Sequence, residues 1–181
     1  SNGQLRFIQR RSVEGKQFLN EAGVYKKDIL YGLYYIKTAP KRIDEVYLNE
    51  SIIDTLSCYE CGMAACSVMG RVLFREQVRE LLNADIKRVN LFFDNDVAGV
   101  TCALNAFRLL SRTPIRVNMV IYPGGMWGVD TLNAQDVSYK DANELLLGGA
   151  MKQIELVPFL TFMEMLAPET SRLLSAQVSH R

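Results

Sequence analysis

The chain has 181 residues, 49% of them hydrophobic and 23% charged, with a net charge of +1. That length suits about one domain with an extension, and the composition is that of an ordinary soluble globular protein, not a disordered or fibrous one. No apolar run approaches the roughly 18 residues that span a membrane. Arg6, Arg10 and Arg11 have no apolar stretch behind them, so no signal peptide is expected.

Charge is unevenly spread along the chain. Residues 1–42 hold nine Lys or Arg against three acids, a balance of +6, and the rest hold twelve against seventeen, −5. A basic arm on an acidic body suits a polyanion held beside a carboxylate-bound metal, and a solvated charged face is the plainer alternative. We therefore take residues 4–43 as a basic N-terminal segment, 44–149 as an α/β unit and 150–181 as a helical extension.

Within the unit, "EVYLNE" (45–50) reads as a strand and "SIIDTLSCYECGM" (51–63) as a helix with apolar residues at helical spacing. "AACSV" (64–68) is a short strand, "REQVRELLNA" (75–84) a helix and "RVNLFF" (88–93) a strand. "AGVTCALNAFRLL" (98–110) is a helix and "IRVNMVIY" (115–122) a fourth strand. "DANELLLGG" (141–149) opens a helix with Asp141 as N-cap and stops it at Gly148-Gly149. Short strands alternating with helices of about ten residues predict a parallel sheet covered on both faces.

Several chemistries have no residues to carry them. The single histidine, His180, is next to the end, which leaves no imidazole for Ser-His-Asp or Cys-His catalysis. There is no G-x-x-x-x-G-K-[ST] phosphate loop, and Gly124, Gly125 and Gly128 have no diagnostic spacing. Cys58 and Cys61 have C-x-x-C spacing without a matching second pair. They fall at i and i+3 of a helix, where core packing is expected over zinc. Reduced thiols fit a cytoplasmic protein.

Carboxylates remain. Glu50 ends the first strand of the unit, and Asp94 and Asp96 follow the third. In an open parallel sheet the functional crevice lies outside the carboxyl ends of the strands. Asp54, at i+4 from Glu50, shares its side, and Asp141 opens a helix that reaches the same rim. Singly, each acid reads equally as a cap or a turn residue. Gathered, five carboxylates must protonate or hold hard cations, and oxygen-only ligation favours Mg2+ or Mn2+.

Glu50 in "VYLNESIID", Asp94 and Asp96 in "FFDNDVAG" and Asp141 in "YKDANELL" resemble the motif series of the Toprim fold. "LYGLYYI" (30–36) and "QFLNEAGVYKKDILYGL" (17–33) are similar to the segment that precedes the Toprim unit in DnaG-type primases of bacteria, phages or plasmids, with Asn20 and Lys26 in matching positions. "SVMG" (67–70) resembles the S-x-G stretch after the second strand. The chain departs from the pattern at Ser51, where glycine is usual, and at Asn143, where a second acid is usual. The loop from Gly124 to Tyr139 is longer. A preceding zinc-binding module and much of the basic half of the primase core are missing, so the chain reads as a fragment.

The resemblance implies a parallel four-stranded Toprim sheet and synthesis of RNA primers on single-stranded DNA from ribonucleoside triphosphates by two-metal nucleotidyl transfer. It makes Glu50, Asp94 and Asp96 catalytic and adds Asp54 and Asp141 to them as ligands of Mg2+ or Mn2+. Asn20, Lys26, Lys27 and Arg42 would contact template or nucleotide, and a replicative helicase would be a partner. A Toprim nuclease using the same acids and a non-catalytic nucleic-acid-binding fragment are the alternatives.

Overall fold

The computed structural model describes residues 8–12, 15, 18–20 and 25–178. Two short antiparallel strands, β1 (Gln9–Arg11) and β2 (Phe18–Asn20), form a separate ribbon. Next come a 3-10 turn at Lys26–Asp28 and helix α1 (Leu33–Lys37). The unit then alternates β3 (Glu45–Asn49), α2 (Ile52–Glu60), β4 (Ala65–Ser67), α3 (Arg75–Asn83), β5 (Arg88–Leu91), α4 (Val97–Leu110) and β6 (Arg116–Ile121). After a long loop come α5 (Ala142–Leu147), β7 (Glu155–Pro158), α6 (Phe159–Met165) and α7 (Pro168–Val178).

The sheet order is β4-β3-β5-β6-β7, and the first four strands are parallel, as the alternation predicts. Both faces are buried, because successive side chains of a strand point to opposite sides. Val46, Leu48, Val89 and Leu91 pack under α3, α4 and α6, with Leu81, Val100, Ala103 and Phe162. Phe92 and Val120 pack with Cys58, Ala142 and Leu145 under α2 and α5, and Tyr47 borders them. Cys58 therefore belongs to the core, its thiol pushed up to about 12 by burial and bonded to Asn49 Oδ1. All four cysteines are free. No described helix is long and apolar enough to cross a membrane.

Two features depart from the expected sheet. Residues 155–158, assigned to a helical extension, form a fifth strand, antiparallel to β6, with Ile121 opposite Glu155 and Asn118 opposite Pro158. This strand covers an edge of β6 that would otherwise be unpaired, and Pro158, lacking an N–H, is tolerated because β7 is itself the outer strand. Four residues are too few to show a periodic pattern. Pro158 also starts α6, which anchors the end of the chain by stacking Phe159 on Phe107, ring centroids 4.3 Å apart.

The "LYGL" segment lies against the opposite edge. Tyr31 N donates to Ser67 O and Ser67 N to Tyr31 O, both at 3.0 Å, so the segment extends the sheet beyond β4. Gly32 has φ of 88°, a left-handed conformation that glycine adopts without strain. A Cβ there would lie 2.3 Å from the Tyr59 hydroxyl and 2.6 Å from Ala65 O. Leu30, Leu33 and Ile36 are buried in the main core. The glycine is thus required both for its backbone conformation and for close approach.

Candidate acidic site at the carboxyl edge of the sheet

Glu50 leaves β3 and Asp94 follows β5, its direct neighbour, so both emerge at the same end of the sheet. Glu50 Oε1 accepts a hydrogen bond from Asp94 N at 3.4 Å. Asp96 is the N-cap of α4, its Oδ1 accepting from Gly99 N at 2.9 Å. Asp141 caps α5 in the same way, accepting from Glu144 N at 2.8 Å. The cap reading of these two acids is thus correct, and each cap bond uses one carboxylate oxygen.

Asp54 is buried in the first turn of α2. Its Oδ2 accepts from Ser51 Oγ at 2.5 Å, and its Oδ1 from Asn143 N at 3.4 Å. Ser51 Oγ also accepts from Asp54 N at 3.2 Å, which makes Ser51 the N-cap of α2. The serine that replaces the usual glycine therefore holds Asp54 in place. Asn143 accepts from Ser57 Oγ at 3.3 Å and ties α5 to α2.

The electrostatics show that these groups share one field. Burial pushes the Asp94 carboxyl up to about 8, and Glu50, Asp54, Asp141 and Asp96 push in the same direction. Burial raises Glu50 to about 7, opposed by the Asp94 N–H bond and by Arg71, and assisted by Asp96 and Asp54. Asp54 is raised mainly by burial. Arg71, after β4, is the cation facing Glu50, a neighbour that strand-end reasoning did not identify. Among the described residues, no three His, Cys, Asp or Glu side chains are already close enough to enclose one ion. The donors are nevertheless all carboxylate oxygens, and a hard cation relieves the repulsion that, after burial, raises Glu50 and Asp94. Glu50, Asp94 and Asp96 are the residues that would hold a divalent ion, one that keeps much of its water.

Asn95, between the two aspartates, is fully buried and holds the turn. Its N donates to Lys140 O at 2.6 Å, and its Nδ2 donates to Gly125 O at 3.0 Å and Tyr139 O at 2.9 Å. Its Oδ1 accepts from Trp127 N at 2.8 Å. Sequence reasoning assigned Asn95 no role. An uncharged amide between two acids, directly after an apolar run, was the available signal.

The basic candidates divide. Lys26 Nζ donates to Met69 O at 3.3 Å, just after β4, and Gly70 N donates to Glu50 O at 3.0 Å. Tyr25, Lys26, Lys27, Met69, Arg71 and Phe74 line a cavity of about 470 Å³ there. Lys26 and Lys27 are thus brought to the side of the Glu50 turn. Arg42 is not. It lies before β3, at the amino end of the sheet, and pairs with Asp85, which also takes Lys87. Charge along a sequence does not say at which end of a strand it will lie. Asn20 has its backbone in β2, opposite Gln9, and its side chain falls outside the described residues.

A protein-family model described as Toprim-like matches residues 47–146, more than half of the chain and the stretch that carries all five acids. The chain belongs to the Toprim-like family. A DNA primase from Synechocystis is 28% identical over 128 residues, covering 70% of this chain and 19% of that protein. Among solved structures, a DNA primase domain from Pseudomonas aeruginosa superposes with a TM-score of 0.62 at 20% identity, covering 87% of this chain and 49% of that one. A DnaG primase catalytic domain bound to single-stranded DNA gives 0.62 at 19% identity, covering 94% and 57%. The structural likeness shows the Toprim fold with its sheet and flanking helices. This Toprim-like chain spans about a fifth of the curated DNA primases it matches.

Proposed function

We propose that this Toprim-like chain is the catalytic part of a DNA primase that joins ribonucleotides on a single-stranded DNA template. The observation that carries the reading is the Glu50–Asp94 pair at the carboxyl edge, two half-buried carboxyls held where neither ionises easily without a cation. Bound Mg2+ or Mn2+ would polarise the attacking 3′-hydroxyl and the leaving pyrophosphate. Asp94 and Asp96 would hold the ions, and Asp54 and Asp141 would fix the field around them. Glu50, beside Asp94, would serve as ligand or as general base for the 3′-hydroxyl proton. Ribonucleoside triphosphates are the substrates on this reading, and a replicative helicase is its partner. The deciding assay is primer synthesis by the longer parent protein on single-stranded DNA. The wild type should incorporate ribonucleotides, and Asp94→Asn with Asp96→Asn should lose at least a thousandfold. Cleavage of DNA without ribonucleotide incorporation would instead assign a Toprim nuclease.

Lys26 and Lys27 support a template role because they lie beside the Glu50 turn, in a cavity that also offers the exposed rings of Tyr25 and Phe74. Phosphate contacts release counterions, so affinity for single strands should fall with salt by a slope of about −0.7 per contact. Replacing both lysines with alanine should flatten that slope, whereas Asp94→Asn should leave it unchanged or strengthen binding by removing repulsion. Fluorescence anisotropy across a salt series measures this. Equal slopes for wild type and the double lysine variant would make the lysines a solvated surface.

A further inference from the structure

Asn95 ties the candidate metal site directly to the long loop after β6, through its side chain and its backbone N–H. Residues 123–140 form no strand or α-helix, yet the loop is anchored. Trp127 is buried at 3% exposure, its Nε1 donating to Leu132 O at 3.0 Å. Met126 N donates to Asp130 Oδ2 at 2.8 Å, closing a tight turn. Asn95 joins both ends of the loop, taking Gly125 O and Trp127 N at its start and Tyr139 O at its finish. Both side-chain amide hydrogens and the side-chain oxygen are engaged, so the amide cannot rotate without leaving a buried partner unpaired.

Resting on the metal-dependent reading above, we propose that Asn95 is a positioning residue that fixes the Asp94–Asp96 turn to the 123–140 loop, coupling ion occupancy to loop order. Asn95 itself need not touch the ion. Asp94 and Asp96 are its covalent neighbours, and a backbone shift that draws their carboxylates toward a cation moves the Asn95 N–H against Lys140 O. Lys140 adjoins Asp141, so the same bond reaches the cap of α5. Partners of metal ligands of this kind commonly alter metal affinity ten- to a hundredfold when removed. Coupling is reciprocal, so an ion that stiffens the turn must also stiffen the loop.

The chain's single tryptophan, Trp127, reports on the loop. Mg2+ should be titrated into wild type, Asn95→Ala and Asp94→Asn/Asp96→Asn, following calorimetric heat and tryptophan emission, with thermal melts to show that each variant is folded at the assay temperature. In the wild type, heat and emission should saturate at one midpoint. Asn95→Ala should bind at least tenfold more weakly, and its emission should no longer follow the remaining binding. A merely structural asparagine would lower the melting temperature and leave both readouts in place, which would overturn the proposal. If Asn95→Ala does not fold, amide exchange in the wild type decides: added Mg2+ should slow exchange across 123–140, and unchanged exchange at saturating Mg2+ overturns the coupling. No Mg2+ heat in the wild type would overturn the metal reading and this inference with it. Wild-type binding, lost in the double aspartate variant and unaltered in Asn95→Ala, would overturn this inference alone.

Discussion

Replacing Asp94 with asparagine should raise the melting temperature of the metal-free protein and abolish its response to Mg2+. Asp94 is pushed up to about 8 and Glu50 to about 7, from ordinary values of 3.8 and 4.5. Both folded-state values lie above the unfolded ones, so between pH 4 and 8 the folded protein binds more protons than the unfolded chain. Stability from these groups is complete below about pH 4 and is lost as pH rises through 7 and 8. At pH 8 the neutral amide should regain on the order of 2 kcal/mol, about 4–8 °C for a chain of this size. In the wild type, Mg2+ at ten times its dissociation constant should add about 1.4 kcal/mol by mass action and flatten the pH dependence. Calorimetric melts at pH 5, 7 and 8.5 with and without Mg2+ test this. A wild type more stable at pH 8.5 than at pH 5 without metal, or an Asp94→Asn protein still stabilised by Mg2+, would remove the basis of the site.

Gly99→Ala should be among the most damaging single-methyl additions in the chain. Helix propensity alone favours alanine over glycine by about 1 kcal/mol. Gly99, however, lies in the first turn of α4 directly beneath the Asp94 turn, and a Cβ there would come 1.9 Å from Asp94 O and 2.8 Å from its carbonyl carbon. Backbone must move, and overpacking of this kind costs about 3 kcal/mol or more. Because the displaced group is Asp94, Mg2+ binding should fall together with stability. Gly70→Ala is the control, since a Cβ there meets nothing within 4 Å. Denaturant midpoints should separate the two variants clearly, and a Gly99→Ala protein as stable as Gly70→Ala would contradict the packing described.

The parallel sheet was legible because strands buried on both faces are nearly continuous apolar runs, and its site because the acids stand where those runs end. Glu50 and Asp94 meet for that reason. Strand β7 was not legible, since four residues ending in proline carry no period and pair only because β6 leaves a side open. The position of Arg42 was hidden for a different reason: its partner, Asp85, is a single acid in a distant turn. Asn95 and Trp127 were missed because their roles depend on a loop closing on itself, and that closure has no local sequence pattern.

The pairing of Tyr31 with Ser67 also bears on how this chain can be divided. A piece beginning at residue 44 would contain all five candidate site acids, yet it would strip the outer side of β4 and remove Leu30, Leu33 and Ile36 from the core. The uncovered N–H and C=O of Ser67 would then be open to a strand from another molecule, the usual start of edge-to-edge aggregation. The "LYGL" segment therefore acts as a selvedge, finishing the β4 side of the sheet while the neighbouring lysines are held beside the acidic unit.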